Sequence, residues 1–195
     1  MLSSEMSTEK KSLEAFRIAG LPPDFYYIPN FISVEEETSI LQKIPANRWT
    51  HLTHRRLQAV PSTLTKSNTL LAAPLPNYLT HPIVKRFEEY SIFAHTPHQQ
   101  PNHVLVNEYR AGEGIMPHED GDAAYRELMH GISSVEIDEG LGEESVANWS
   151  LLGDREVLLR QGGRNVRGTR VSLTYRDVLK VSTAASKILG GLMKK

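Results

Sequence analysis

Two stretches of this chain alternate polar and apolar side chains well enough to predict strands. In 103–109 (HVLVNEY), extended backbone puts Leu105, Asn107 and Tyr109 on one face and Val104 and Val106 on the other. In 170–176 (RVSLTYR), Val171, Leu173 and Tyr175 share one face, while Arg170, Ser172, Thr174 and Arg176 share the opposite one. A shorter aromatic run, Phe25 to Ile28, is a further strand candidate. Helical spacing occurs twice. Ser33 followed by Glu36 has the form of a capping box, early glutamates suit the positive helix end, and Ile40, Leu41 and Ile44 supply an apolar side. Thr80 is the expected cap of a second helix carrying Ile83, Val84, Phe87 and Tyr90.

Elsewhere the period is lost. Residues 48–79, with three prolines, read as loop, and residues 133–165, acidic and then glycine-rich, read as a surface loop with one short apolar piece. The segment GDAAYRELMHG reads as a short helix over 123–130, capped by Asp122 and ended by Gly131. The expected organisation is a polar leader at 1–20, one domain at 21–180 and a tail at 181–195, since 195 residues suit a single domain with a substantial core.

Composition narrows the chemistry. With 22 basic against 23 acidic residues, no overall field draws the chain to nucleic acid or to an anionic membrane. Nucleic-acid contact therefore needs a local patch, and the cluster His51, His54, Arg55 and Arg56 is the candidate. The absence of cysteine excludes disulfides, thiolate metal sites and cysteine nucleophiles, so a metal would rest on His and carboxylate. The opening residues lack the apolar core of a signal peptide, and no stretch approaches the roughly 20 apolar residues of a membrane span. A cytoplasmic or nuclear protein is the expectation.

His118 and Asp120, two apart on extended backbone, point the same way and can reach one cation. His130 is a third candidate ligand, and two imidazoles with one carboxylate on one face of an iron leave three positions open for a co-substrate and dioxygen. The polar face of 170–176 carries two arginines, which suit a dicarboxylate through bidentate pairing. Asn107 and Tyr109 can add hydrogen bonds to such an acid. Each piece also has an ordinary explanation: a chance pair in a surface loop, a wet strand face, a strand-end amide, a core tyrosine.

Their order carries more weight. Asn-x-Tyr, then His-x-Asp-Gly, then HGI, then RVSLTYR resembles the motif series of the AlkB family of iron(II)- and 2-oxoglutarate-dependent dioxygenases, and the resemblance covers most of the chain. It implies an α+β protein built on a double-stranded β-helix, or jelly roll, with N-terminal packing helices. It makes His118, Asp120 and His130 the iron ligands and Asn107, Tyr109, Arg170 and Arg176 the 2-oxoglutarate contacts, with Arg170 on the distal carboxylate. Ser172 stands where many relatives have Asn. The activity implied is oxidative demethylation of alkylated nucleic acid using dioxygen. The alternatives are a catalytically inactive shortened form, acting as a nucleic-acid or protein binding module, and a protein hydroxylase.

One spacing departs from that family. About four strands belong between the His-x-Asp pair and the distal His, which requires roughly 35 to 50 residues. Only eleven separate His118 from His130. Core strands are therefore expected to be missing near 121–122, leaving the jelly roll incomplete. A helix over 123–130 would be about 12 Å long, which sets His130 too far from Asp120 unless the chain doubles back after Gly121.

Overall fold

The computed structural model describes residues 11–119 and 129–182. In chain order its elements are α1 (Val34–Lys43), β1 (Thr50–Leu52), β2 (Arg55–Val60), β3 (Thr69–Leu71), α2 (Asn77–Thr80), α3 (Ile83–Glu89) and β4 (His103–Tyr109). There follow β5 (Ile115–His118), β6 (His130–Ile132), β7 (Ile137–Asp138), α4 (Arg155–Arg160), β8 (Asn165–Val166), β9 (Arg170–Arg176) and β10 (Lys180–Ser182). The fold is mixed, with short helices beside a four-stranded antiparallel sheet ordered β1-β2-β4-β9. Three two-stranded pairs accompany it among the described residues: β5 with β6, β7 with β8, and the parallel pair β3 with β10. No helix of the described residues is long and apolar enough to cross a membrane.

The two alternating stretches form the middle and one edge of the sheet. β4 and β9 pair along their whole length, from His103 opposite Arg176 to Tyr109 opposite Arg170. Partners directly opposite share a face, so Val104 and Val106 join Val171, Leu173 and Tyr175 on one side. That side is the core: Val60, Leu79, Val104 and Val106 are fully buried, with Trp49 and Tyr78 packed against them. Each such aliphatic side chain contributes about 1.5–3 kcal/mol by leaving water. Tyr175 is tied in twice, its ring lying edge-on to Phe87 at 5.0 Å and its hydroxyl donating to the Leu79 carbonyl at 2.6 Å.

α1 begins as its sequence predicts. Ser33 Oγ accepts from the Glu36 N–H at 3.2 Å, and the Ser33 N–H donates to the Glu36 carboxylate at 2.7 Å. Glu36 also takes a two-pronged bond from Arg86, at 2.8 Å on each oxygen, which ties α1 to α3. Arg86 first, and the Ser33 N–H second, hold the Glu36 carboxyl below its usual range.

Several local expectations differ from what forms. Residues 48–79 contain β1, β2, β3 and α2 rather than loop. The period of two in β2 is disguised because Arg56 and Gln58 lie on the same face as buried Val60. Both have partners there: Gln58 donates to the Pro45 carbonyl at 2.7 Å, and Arg56 pairs with Glu108 at 2.7 Å while lying over the Trp49 ring. Thr80 does not cap α3; it ends α2, and Pro82 is the N-cap. A residue preceding proline is pushed to extended backbone, and His81 sits at φ −114°, ψ 123°, so the helix has to restart.

Phe25 to Ile28 forms a single bridge, Arg17 with Tyr26, not a strand. It bonds the 16–18 segment through Ile18 N–H to Phe25 O at 3.0 Å and Tyr27 N–H to Phe16 O at 2.8 Å. The 133–165 region holds β7, α4 and β8, and Arg167 Nε bonds both Asp138 oxygens at 3.0 Å across that pairing.

Candidate active site

β5 and β6 lie antiparallel, with Ile115 opposite Ile132 and His118 opposite His130 across an irregular register. The two imidazole rings are brought to 4.3 Å between centroids, tilted by 47°. His130 is thus the first residue of a strand, and that strand runs antiparallel to β5. Residues 120–128, including Asp120 and most of the expected 123–130 helix, lie outside the described residues. Of the three sequence-derived metal ligands the structure brings two together, and among the described residues no group of three His, Asp or Glu side chains is assembled for a metal.

Two glycines let the strands approach. A Cβ on Gly131 would stand 2.9 Å from both the Ile115 carbonyl oxygen and the Pro117 nitrogen, and one on Gly114 would stand 2.2 Å from the Ile132 carbonyl oxygen. His118 is further oriented by its own strand: Nδ1 lies 2.9 Å from the Met116 carbonyl oxygen. A carbonyl only accepts, so Nδ1 carries the proton and Nε2 keeps its lone pair for a ligand. His118 is half-buried and His130 exposed.

The second half of the site is the non-core face of β4 and β9. Tyr109 stands opposite Arg170, Asn107 opposite Ser172, and His103 opposite Arg176, so all five sequence-derived acid contacts share one face. Tyr109 and Asn107 are buried, at 5% and 6% exposure, and Arg170 lies over the Tyr109 ring at 5.9 Å. The Asn107 Oδ1 has no hydrogen-bond partner. A buried amide left unpartnered costs stability unless a ligand or water completes it.

His103 was not singled out from the sequence, although the alternation that groups Leu105, Asn107 and Tyr109 includes it. It is 3% exposed, and neither ring nitrogen attains hydrogen-bond geometry. Burial first, and the Arg176 charge second, lower its tendency to protonate, opposed weakly by the nearby Ser62 backbone.

The end of β9 is clamped just beyond Arg176. Asn102 donates its backbone N–H to the Arg176 carbonyl at 3.0 Å and its side-chain amide to the Val178 carbonyl at 3.0 Å, while accepting from the Val178 N–H at 2.8 Å. Asp177, next in line, accepts from the His98 backbone N–H at 2.9 Å and pairs with its ring. Burial of that carboxyl works against ionisation, but hydrogen bonds from Thr96 and His98 together lower its affinity for a proton.

The basic cluster is divided by the sheet. Arg56 is consumed by Glu108 and Trp49 on the core side, whereas Arg55 shares the face of Leu57, which stands opposite Asn107. His51 and His54 remain exposed at the β1–β2 turn. The four residues therefore do not form one patch, because alternate positions on a strand face opposite ways.

No protein-family model matches the chain. It is 44% identical over 112 residues to the probable RNA/DNA demethylase ALKBH6 of Danio rerio, a match that takes in 56% of this chain and 46% of that protein. It is 26% identical over 203 residues to the uncharacterized protein L905 of Acanthamoeba polyphaga mimivirus, spanning 90% of this chain and 92% of that one. It is also 26% identical over 117 residues to the alkylated DNA repair protein ALKBH8 homolog of Arabidopsis thaliana, covering 57% of this chain and 34% of that protein. The chain thus spans under half the length of the zebrafish protein.

Proposed function

Because the chain is a relative of the AlkB proteins, we propose that it is an iron(II)- and 2-oxoglutarate-dependent dioxygenase of alkylated nucleic acid, built on an incomplete double-stranded β-helix. In this reading His118, Asp120 and His130 hold the iron, and Asn107, Tyr109, Arg170, Ser172 and Arg176 hold the 2-oxoglutarate. The observation that carries it is the pairing of His118 with His130. Two imidazoles at 4.3 Å, one with its Nδ1 occupied by a backbone carbonyl, fit a nitrogen- and carboxylate-liganded metal. The grouping of buried Asn107 and Tyr109 with Arg170 and Arg176 on one face of the sheet supports an acid ligand there.

When bound, iron with 2-oxoglutarate would supply oxidation of a C–H bond by dioxygen, the acid ending as succinate and carbon dioxide and an N-methyl group as formaldehyde. The protein's own residues bind and orient. Arg170 and Arg176 are six residues apart on β9, about 20 Å between Cα atoms. Arginines each reaching about 6 Å from Cα to guanidinium carbon can set those carbons anywhere from about 20 Å to about 8 Å apart. The shorter span suits a five-carbon dicarboxylate, with Arg170 on its distal carboxylate, Arg176 on the one nearer the metal, and Asn107 and Tyr109 donating between. A substrate of this class would be met in nucleus or cytoplasm.

Anaerobic addition of iron(II) and 2-oxoglutarate should raise a visible charge-transfer band, and admission of air should yield succinate. His118→Ala should remove both. A cooperatively melting protein that gives neither band nor succinate refutes the reading.

The exposure of His130 favours a second reading, a nucleic-acid binding module without turnover, because water reaches a centre that such oxidation has to shield. That module would bind alkylated and unalkylated single strands equally, through the exposed β1–β2 turn, and release no succinate.

A further inference from the structure

His103 is the least explained side chain on the acid-facing side of the sheet. It is 3% exposed, neither ring nitrogen attains full hydrogen-bond geometry although the Ser62 backbone lies near, and it shares its strand face with Asn107 and Tyr109. It stands directly across from Arg176, with Cβ atoms about 5 Å apart. A phenylalanine ring would fill similar space without leaving buried polar atoms orphaned, so an imidazole there lowers the stability of the ligand-free protein. Groups that destabilise a fold in this way are characteristic of sites kept for binding.

We propose that His103 is a further binding residue for 2-oxoglutarate, its ring N–H donating to the same carboxylate that Arg176 holds. The inference rests on the reading given under Proposed function. A carboxylate offers about four lone-pair positions, of which a guanidinium fork takes two. A neutral imidazole adds a donor without setting a second positive charge beside the first. Burial and the Arg176 charge both favour that neutral ring. The consequence is specificity: an amide or ester at this end of the acid accepts more weakly and leaves the buried N–H unpaired.

The test uses the full chain, with three measurements on wild type, His103→Phe and His103→Gln: ligand-free melting temperature, Mn(II) affinity, and 2-oxoglutarate affinity in the presence of Mn(II). The phenylalanine variant should melt higher than wild type and bind Mn(II) equally. It should bind 2-oxoglutarate about 10- to 100-fold more weakly, as for a lost hydrogen bond to a charged group. Glutamine, which keeps a donor, should recover part of the loss. Unchanged 2-oxoglutarate affinity in His103→Phe overturns the inference and leaves the parent reading intact. Wild type that binds Mn(II) but no 2-oxoglutarate overturns both. If the phenylalanine variant does not melt cooperatively, His103→Leu carries the same comparison.

Discussion

Replacing Gly131 by alanine should part the two histidines without touching either. The added Cβ would meet the Ile115 oxygen and the Pro117 nitrogen at 2.9 Å and the Pro117 Cα at 3.1 Å, all of them backbone or ring atoms that cannot rotate aside. Relief requires β6 to shift outward by several tenths of an ångström, comparable to the tolerance of about 0.5 Å within which a binding constellation has to be held. Overpacking of this kind costs about 1–3 kcal/mol in stability. The larger effect is on the site: Co(II) or Mn(II) affinity should fall by about 10- to 100-fold, the range for losing groups that orient metal ligands. Calorimetric titration of Gly131→Ala beside Gly153→Ala reads this directly, since a Cβ at Gly153 meets nothing within 4 Å. Equal metal affinity in Gly131→Ala and wild type would refute the proposed dependence of the metal site on close strand approach.

Three further outcomes are expected. Tyr175→Phe removes the 2.6 Å bond to the Leu79 carbonyl and should lower stability by about 1–3 kcal/mol, read as a reduced urea midpoint at unchanged slope. Glu36 is held below its usual value of 4.5 by Arg86 and the Ser33 N–H, so its stabilisation is complete above that pH and is lost as pH falls through the lowered folded value. Glu36→Gln should therefore flatten the acid limb of the stability curve, and an unchanged limb would deny the ion pair a role. Asn102→Ala removes both amide bonds to the Val178 backbone and should speed amide exchange at Val178 and weaken 2-oxoglutarate binding while metal affinity holds.

The elements legible in the sequence were those whose local pattern agrees with their packing. β4 and β9 alternate in step with the two faces of the sheet, and the Ser33–Glu36 cap is self-contained within four residues. β2 was missed because its core face carries Arg56 and Gln58, whose partners Glu108, Trp49 and Pro45 lie far away in sequence or on another element. The same long-range character hid His103, which becomes notable only once Arg176 is seen opposite it. At the junction only the final expected helical position can be compared. Ala, Glu, Leu and Met favour a helix locally, but its last residue, His130, pairs with β5 as a strand, while 123–128 lie outside the described residues.

Eleven residues between the histidines, in place of the roughly 35 to 50 expected of the family, do not hinder their meeting. Loop-closure entropy grows as about 1.5RT ln n, so shortening the connection from about 45 residues to eleven favours closure by about 1 kcal/mol. What the short connection removes is cover. His130 is exposed, and so is Arg170, although His103, Asn107 and Tyr109 on the same face of the sheet are buried. The two halves of the site should therefore separate in their energetics. On the proposed reading, metal affinity depends on the close approach of β5 and β6 and should lie within about tenfold of that of the zebrafish relative. Affinity for 2-oxoglutarate should be weaker by a larger factor, because an ion pair at exposed Arg170 contributes only about 0–1 kcal/mol. Side-by-side titrations of the two proteins, Mn(II) first and the acid second, distinguish this from uniform damage, in which both affinities would fall together.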